Sequence, residues 1–178
     1  MNILIEEIER LPAVTPRERG VQKRFLDLIR TEPDCFLRSN LKAHITASAF
    51  VIDRSAARIL LIYHKKLEKW LQPGGHCDGE QNTLAVAIRE VFEETGVVIQ
   101  ADNQPIIDLD IHTIPPRREV PEHEHFDVRY LFEADSALPL IRNHETLALE
   151  WVSWNDLPQY TEEASVLRIL HKISPMPI

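Results

Sequence analysis

Apolar positions in this 178-residue chain recur first at helical intervals, then in short dense runs on either side of one long amphipathic stretch. Val21, Phe25, Leu28 and Ile29 are spaced four, three and one apart, which predicts one buried helical face. Thr15, Pro16 and Glu18 supply its start: a hydroxyl cap, a proline at the first helical position and a carboxylate at capping-box spacing. Glu32-Pro33-Asp34 ends it, and Gly20 weakens it without stopping it. The first forty residues thus read as a helical extension (1–40) ahead of a main domain (41–178). The runs Ile45–Ile52 and Ile59–Tyr63, separated by the polar turn at Asp53-Arg54-Ser55, predict an antiparallel pair of strands. Trp70 to Gly75 is a short extended piece entering a glycine turn. Asn82 caps a helix predicted over Thr83–Thr95, with Gly96 as its stop. Further strands are predicted over Ile106–Ile114, Phe126–Phe132 and Leu147–Trp154, and a final helix over Glu162–Ile173, with Ala164, Leu167, Ile169, Leu170 and Ile173 as its apolar contacts. Residues 115–125 read as a long loop rich in proline and charge. Strands and helices mix without strict alternation, so the class is α/β with a mixed sheet and helices on its faces.

Composition narrows the role more than the fold. With 28 acidic against 20 basic residues the net charge is −8, which argues against a nucleic-acid coat or a polybasic membrane binder. No apolar run is long enough to span a bilayer, and the acidic start at Glu6, Glu7 and Glu9 does not resemble a secretory signal. Two cysteines, Cys35 and Cys77, build no disulfide framework and suggest reduced thiols in a cytoplasmic protein.

The chemistry concentrates in GHCDGEQNTLAVAIREVFEETGV, Gly75 to Val97. On a helix over Thr83–Thr95, the residues Leu84, Ile88, Val91, Phe92 and Thr95 share an arc of roughly 100°, which predicts the core-facing stripe. Glu90, Glu93 and Glu94 share another arc. Three neighbouring carboxylates repel one another, so they form either a solvated acidic face, relieved in part by an Arg89–Glu93 pair, or a site for hard divalent cations. Helix geometry alone favours the first. The Gly74-Gly75 turn directly before the helix favours the second, because its backbone can approach ions held by the glutamates.

This segment resembles the Nudix box: Gly75, Arg89, Glu90, Val91, Glu93, Glu94, Gly96 and Val97 stand in register with that pattern, and Gln81 replaces its first Glu, with Glu80 beside it. The resemblance implies a Nudix-type α/β/α sandwich and a hydrolase that cuts a phosphoanhydride in a nucleoside diphosphate linked to another group. It implies Mg²⁺ or Mn²⁺ held by Glu90, Glu93, Glu94 and the Gly75 carbonyl, and Arg89 orienting a glutamate by a bidentate pair. Glu90 is the first candidate for general base. Glu145 is the second, followed by Glu119, Glu122 and Glu124. Gln81 leaves open a catalytically weakened nucleotide-binding or regulatory module, and an isomerase that holds a diphosphate uncut is a third reading. Substrate signatures are missing: the proline that marks ADP-ribose hydrolases would fall near Ile111, and no motif of the NADH type is present.

Other residues admit two readings each. His76, Cys77 and Asp78 suggest a zinc site, but no second pair at ligand spacing accompanies them. His125 and Asp127, at the end of the long loop, and His44, before the first strand, are candidates for substrate contact against the alternative of ordinary polar packing. Trp70, Trp151 and Trp154 read as core. The apolar face of the N-terminal helix serves either a homodimer contact or packing on the sheet.

Overall fold

The computed structural model describes residues 3–173 except 118. Two helices come first, α1 (Ile3–Arg10) and α2 (Pro16–Thr31). The capping box is formed: Thr15 Oγ1 accepts the Glu18 N–H at 3.1 Å while the Glu18 carboxylate accepts the Thr15 N–H at 2.9 Å. Seven strands then make one sheet: β1 (Ala43–Asp53), β2 (Arg58–His64), β3 (Lys69–Leu71), β4 (Gly74–His76), β5 (Asp108–Ile114), β6 (His123–Glu133) and β7 (Thr146–Ser153). Helix α3 (Thr83–Thr95) lies between β4 and β5, and three short helices, α4 (Leu157–Tyr160), α5 (Ala164–Leu167) and α6 (Leu170–Ile173), close the described chain.

β1 is buried along its whole length, which explains its dense run of small and apolar residues. It pairs in parallel with β6 along one edge. Its other edge is shared, with β4 opposite Thr46–Ser48 and β2 opposite Val51–Asp53. The sheet is therefore mixed, as expected. Alternation along β1 divides the core in two. Ile45, Ala47, Ala49 and Val51 face α2 and α3, packing with Phe25, Val86, Ala87 and Val91. Phe50 and Ile52 face the C-terminal helices, packing with Leu157, Val166, Ile169 and Ile173. The start of this second face is polar: His44, Thr46 and Ser48 are buried there.

The N-terminal helices use their apolar face within the chain. Leu4, Ile8 and Phe25 belong to the first core, and Phe25 meets Phe126 edge-on at 5.0 Å. α3 begins at Asn82, whose side chain caps the Ala85 N–H at 3.1 Å, and stops at Gly96 in the left-handed conformation (φ 74°). A Cβ at Gly96 would also meet Ile141 at 2.8 Å, so glycine is required twice over.

Three expectations are corrected. Phe92 is 55 % exposed, whereas Val86, Ala87, Val91, Glu94 and Thr95 are buried, so the α3 stripe is rotated toward the glutamates. Packing against β1 and β4, rather than hydropathy, sets the buried face. β6 begins at His123, so the last three residues of the expected loop are strand, paired with β1 from Ala43↔Glu124 onward. The single C-terminal helix is two short ones. Ile169 and His171 bond three residues back rather than four, and the break at Arg168 lets that side chain reach Asp108 and Asp110.

Candidate active site

Helix α3 brings two of its three glutamates against the glycine pair of β4. Gly74 donates its N–H to Glu94 Oε2 at 2.9 Å. The Glu90 carboxylate fills the space where a side chain at Gly75 would stand, 2.6 Å from that Cβ position. Glu90 and Glu94 are one helical turn apart and Glu94 is buried, while the Glu93 side chain is 55 % exposed at the rim. Arg89 spans the rim rather than gripping one carboxylate with both arms of its fork: it reaches Glu90 at 3.5 Å and Glu93 at 3.8 Å. The expected bidentate pair is absent because adjacent helical positions diverge around the axis.

Burial, opposed by the Gly74 N–H and reinforced by Glu90, Glu145 and Glu93, pushes the Glu94 carboxyl up to about 8. Burial likewise raises Glu90, with Arg89 opposing. Glu145, just before β7, joins the same electrostatic neighbourhood. Its hydrogen bond from Lys66 Nζ at 3.2 Å holds it below the usual carboxylate range. Carboxylates crowded in this way, with a backbone that only glycine allows to approach, fit a hard divalent cation. The donors are oxygens, and the repulsion they store is what a cation relieves.

The remaining candidates divide. Gln81 is exposed, and Glu80 turns away to accept the Asn82 N–H at 2.8 Å, so it does not stand in for the missing glutamate. Glu124 pairs with Arg24, and Glu119 and Glu122 are exposed. His76, Cys77 and Asp78 go separate ways. Cys77 is in the first core, its thiol pushed up to about 12 by burial, and Asp78 pairs with Arg38. Asp127 is buried and takes bonds from Thr46 Oγ1 (3.1 Å), Ser48 Oγ (2.7 Å) and Arg129 Nε (2.7 Å). Its carboxylate is occupied by the protein itself. His44 is buried, its Nδ1 bonded to the Asn40 carbonyl at 2.9 Å, and its ring lies 4.7 Å from that of half-buried His125. Sequence reasoning missed the node below them. Arg129 is 2 % exposed and reaches Asp127, Asp110 and Asp108, and Arg168 and Lys172 reach the last of these from the C-terminal helices. The only signal was an arginine at an inward position of an apolar strand.

The NUDIX domain family model matches residues 42–172. A protein named "Probable DHNTP pyrophosphohydrolase" from Lactococcus lactis subsp. cremoris (strain MG1363) is 29 % identical over 134 residues, covering 74 % of this chain and 78 % of that one. The fold resembles that of a MutT NUDIX hydrolase from Burkholderia pseudomallei, with TM-score 0.58 and 22 % identity over 75 % of this chain and 99 % of the other. It also resembles the E. coli dihydroneopterin triphosphate pyrophosphohydrolase, with TM-score 0.56 and 15 % identity over 72 % and 93 %. Among the described residues no helix is long and apolar enough to cross a membrane.

Proposed function

This chain belongs to the NUDIX domain family, and from that membership we propose that it is a divalent-cation-dependent pyrophosphohydrolase acting on a nucleotide-like diphosphate or triphosphate. The observation that carries the reading is the cradle in which Glu94 and Glu90 close on Gly74 and Gly75. Glu90, Glu93, Glu94 and the Gly75 carbonyl would hold Mg²⁺ or Mn²⁺. When bound, the cation supplies charge neutralisation for the phosphate oxygens and acidifies water.

The chain's own residues do the rest. The Gly74 N–H holds Glu94 in place, so one ligand oxygen is fixed by backbone rather than by a rotamer. Arg89 lies near both Glu90 and Glu93 and partly neutralises them. Glu90 is the first candidate to take the proton from the attacking water, because its carboxylate stands in the cradle against Gly75; Glu145, held by Lys66, is the second. Around this cradle the reading takes residues 1–40 as an extension of the domain at 41–178, a cytoplasmic setting, and small molecules rather than nucleic acid as partners. The name of the L. lactis relative makes DHNTP the first substrate to test.

The test is a phosphate- and pyrophosphate-release screen over DHNTP, nucleoside triphosphates and nucleoside diphosphate conjugates, with Mg²⁺ or Mn²⁺ and with chelator. Turnover that needs the cation and falls by about 10²–10⁴ in Glu90→Gln is expected. No turnover on any of them, with metal binding unchanged in Glu93→Gln and Glu94→Gln, overturns the reading.

A further inference from the structure

On the sheet face away from α3, five histidines gather at one end of four neighbouring strands: His76 on β4, His44 on β1, His123 and His125 on β6, and His112 on β5. Strand register explains why they meet. His44 stands opposite His125, His125 opposite His112, and His123 is two residues from His125 on the same face. One nitrogen from each of His44, His123 and His125 lies within 4.8 Å of the others. The His44 ring is 5.0 Å from His123 and 4.7 Å from His125.

The hydrogen bonds decide what these rings can do. His44 Nδ1 is 2.9 Å from the Asn40 carbonyl, and His123 Nδ1 is 2.9 Å from the Pro121 carbonyl. A carbonyl only accepts, so in both rings Nδ1 carries the proton and Nε2 keeps its lone pair. That is the arrangement by which backbone carbonyls orient imidazole ligands. His44 is 2 % exposed, yet its Nε2 has no hydrogen-bond partner, and neither has the buried Nε2 of His125. A buried acceptor left unpaired costs stability unless something fills the place. A phosphate would need protonated rings, and burial keeps His44 and His125 neutral.

We propose that His44, His123 and His125 form a second, nitrogen-donor metal site, selective for Zn²⁺ or a similar borderline cation and separate from the carboxylate cradle. Two histidines two apart on one strand and a third on the adjacent strand present three lone pairs from one surface, leaving a fourth position open. Zn–N bonds of about 2.0–2.1 Å set tetrahedral ligands roughly 3.3 Å apart, so nitrogens within 4.8 Å of one another come into range by a small inward shift of the rings. Three imidazole nitrogens suit a borderline cation rather than hard, strongly hydrated Mg²⁺, which takes oxygen ligands. Register also separates the two sites, since Gly75 lies opposite Ala47 on the α3 face and His76 opposite Thr46 on the other.

The experiment uses untagged full-length protein. Zn²⁺ affinity is measured by competition with a chromophoric chelator, and Co²⁺ is added to read its tetrahedral visible spectrum. The expected result is tight Zn²⁺ binding and an intense Co²⁺ band in wild type. Both should weaken by at least about ten-fold in His123→Gln and His125→Gln and persist in Glu93→Gln. Zn²⁺ affinity unmoved by the histidine substitutions, or lost with the glutamate, overturns the proposal. Should the variants fail to fold, ring-nitrogen NMR of wild type decides it. Zn²⁺ but not Mg²⁺ must shift the His44, His123 and His125 signals, and unshifted signals reject the site.

Discussion

Gly74 donates its backbone N–H to the buried Glu94 carboxylate at 2.9 Å across 20 residues of sequence. That one bond ties the glycine turn of β4 to the last turn of α3, and Glu90 occupies the space above the adjoining Gly75. The two glycines are required for different reasons, which separates their expected phenotypes.

Gly75→Ala places a methyl group 2.6 Å from the end of the Glu90 side chain, which can swing aside. Stability should change little, while cation affinity and turnover fall. Gly74→Ala instead drives a Cβ to 2.7 Å from the Ser48 Cα and 2.8 Å from the Ala47 carbonyl, backbone that cannot move away. A loss of roughly 1–3 kcal/mol is expected from such overpacking. Urea unfolding and Mg²⁺ titration of both variants check the contrast, and equal losses of stability would contradict it.

The raised Glu94 carboxyl makes a pH prediction. Its value of about 8 in the fold lies above the ordinary 4.5, so its contribution is fully present below 4.5 and is lost as pH rises through 8. Without divalent cation, wild type should lose stability relative to Glu94→Gln as pH climbs from 4.5 to 8. Millimolar Mg²⁺ should remove much of that difference. Melting temperatures of both proteins across this range, with and without Mg²⁺, provide the measurement.

Histidine burial acts at the acid end with the opposite sign. His76 is pushed down to about 4 and His125 to about 2, chiefly by desolvation, from an ordinary 6.5. Their contribution is complete above 6.5 and is lost as pH falls toward the folded values. Urea midpoints should drop between pH 6.5 and 4, and the slope should flatten in His125→Gln. An unchanged slope in that variant would place the acid sensitivity elsewhere.

Arg129 holds the second face together. Only 2 % exposed, it lies 2.7 Å from Asp127, 3.3 Å from Asp110 and 3.6 Å from Asp108. Arg129→Ala takes the cation from the buried Asp127, while Arg168 still reaches Asp108 and Asp110, and should cost about 3–5 kcal/mol. Arg129→Met combined with Asp127→Asn should recover part of it, since it removes both charges and sets an apolar side chain toward the Phe50 ring, where the guanidinium now lies 5.8 Å from the centroid. Chemical denaturation of the single and double variants tests the order.

Helix α3 is legible in the sequence alone. Its cap at Asn82, its stop at Gly96 and the glutamate spacing depend on contacts within a turn or two, which local sequence encodes. The α2 capping box was legible for the same reason. Which face of α3 is buried was not: hydropathy placed Phe92 inside and treated Glu94 as one of an equal trio, whereas docking on β1 and β4 buries Glu94 and exposes Phe92. The histidines were equally hidden. Residue 44 and residues 123 and 125 read as loop-edge polar groups until parallel pairing of β1 with β6 set them side by side. A strand's alternation states which residues share a face and says nothing of which strand lies next to it. Neighbours of that kind are chosen by the packing of the whole chain, and so were the Gly74–Glu94 bond and the Arg129 network.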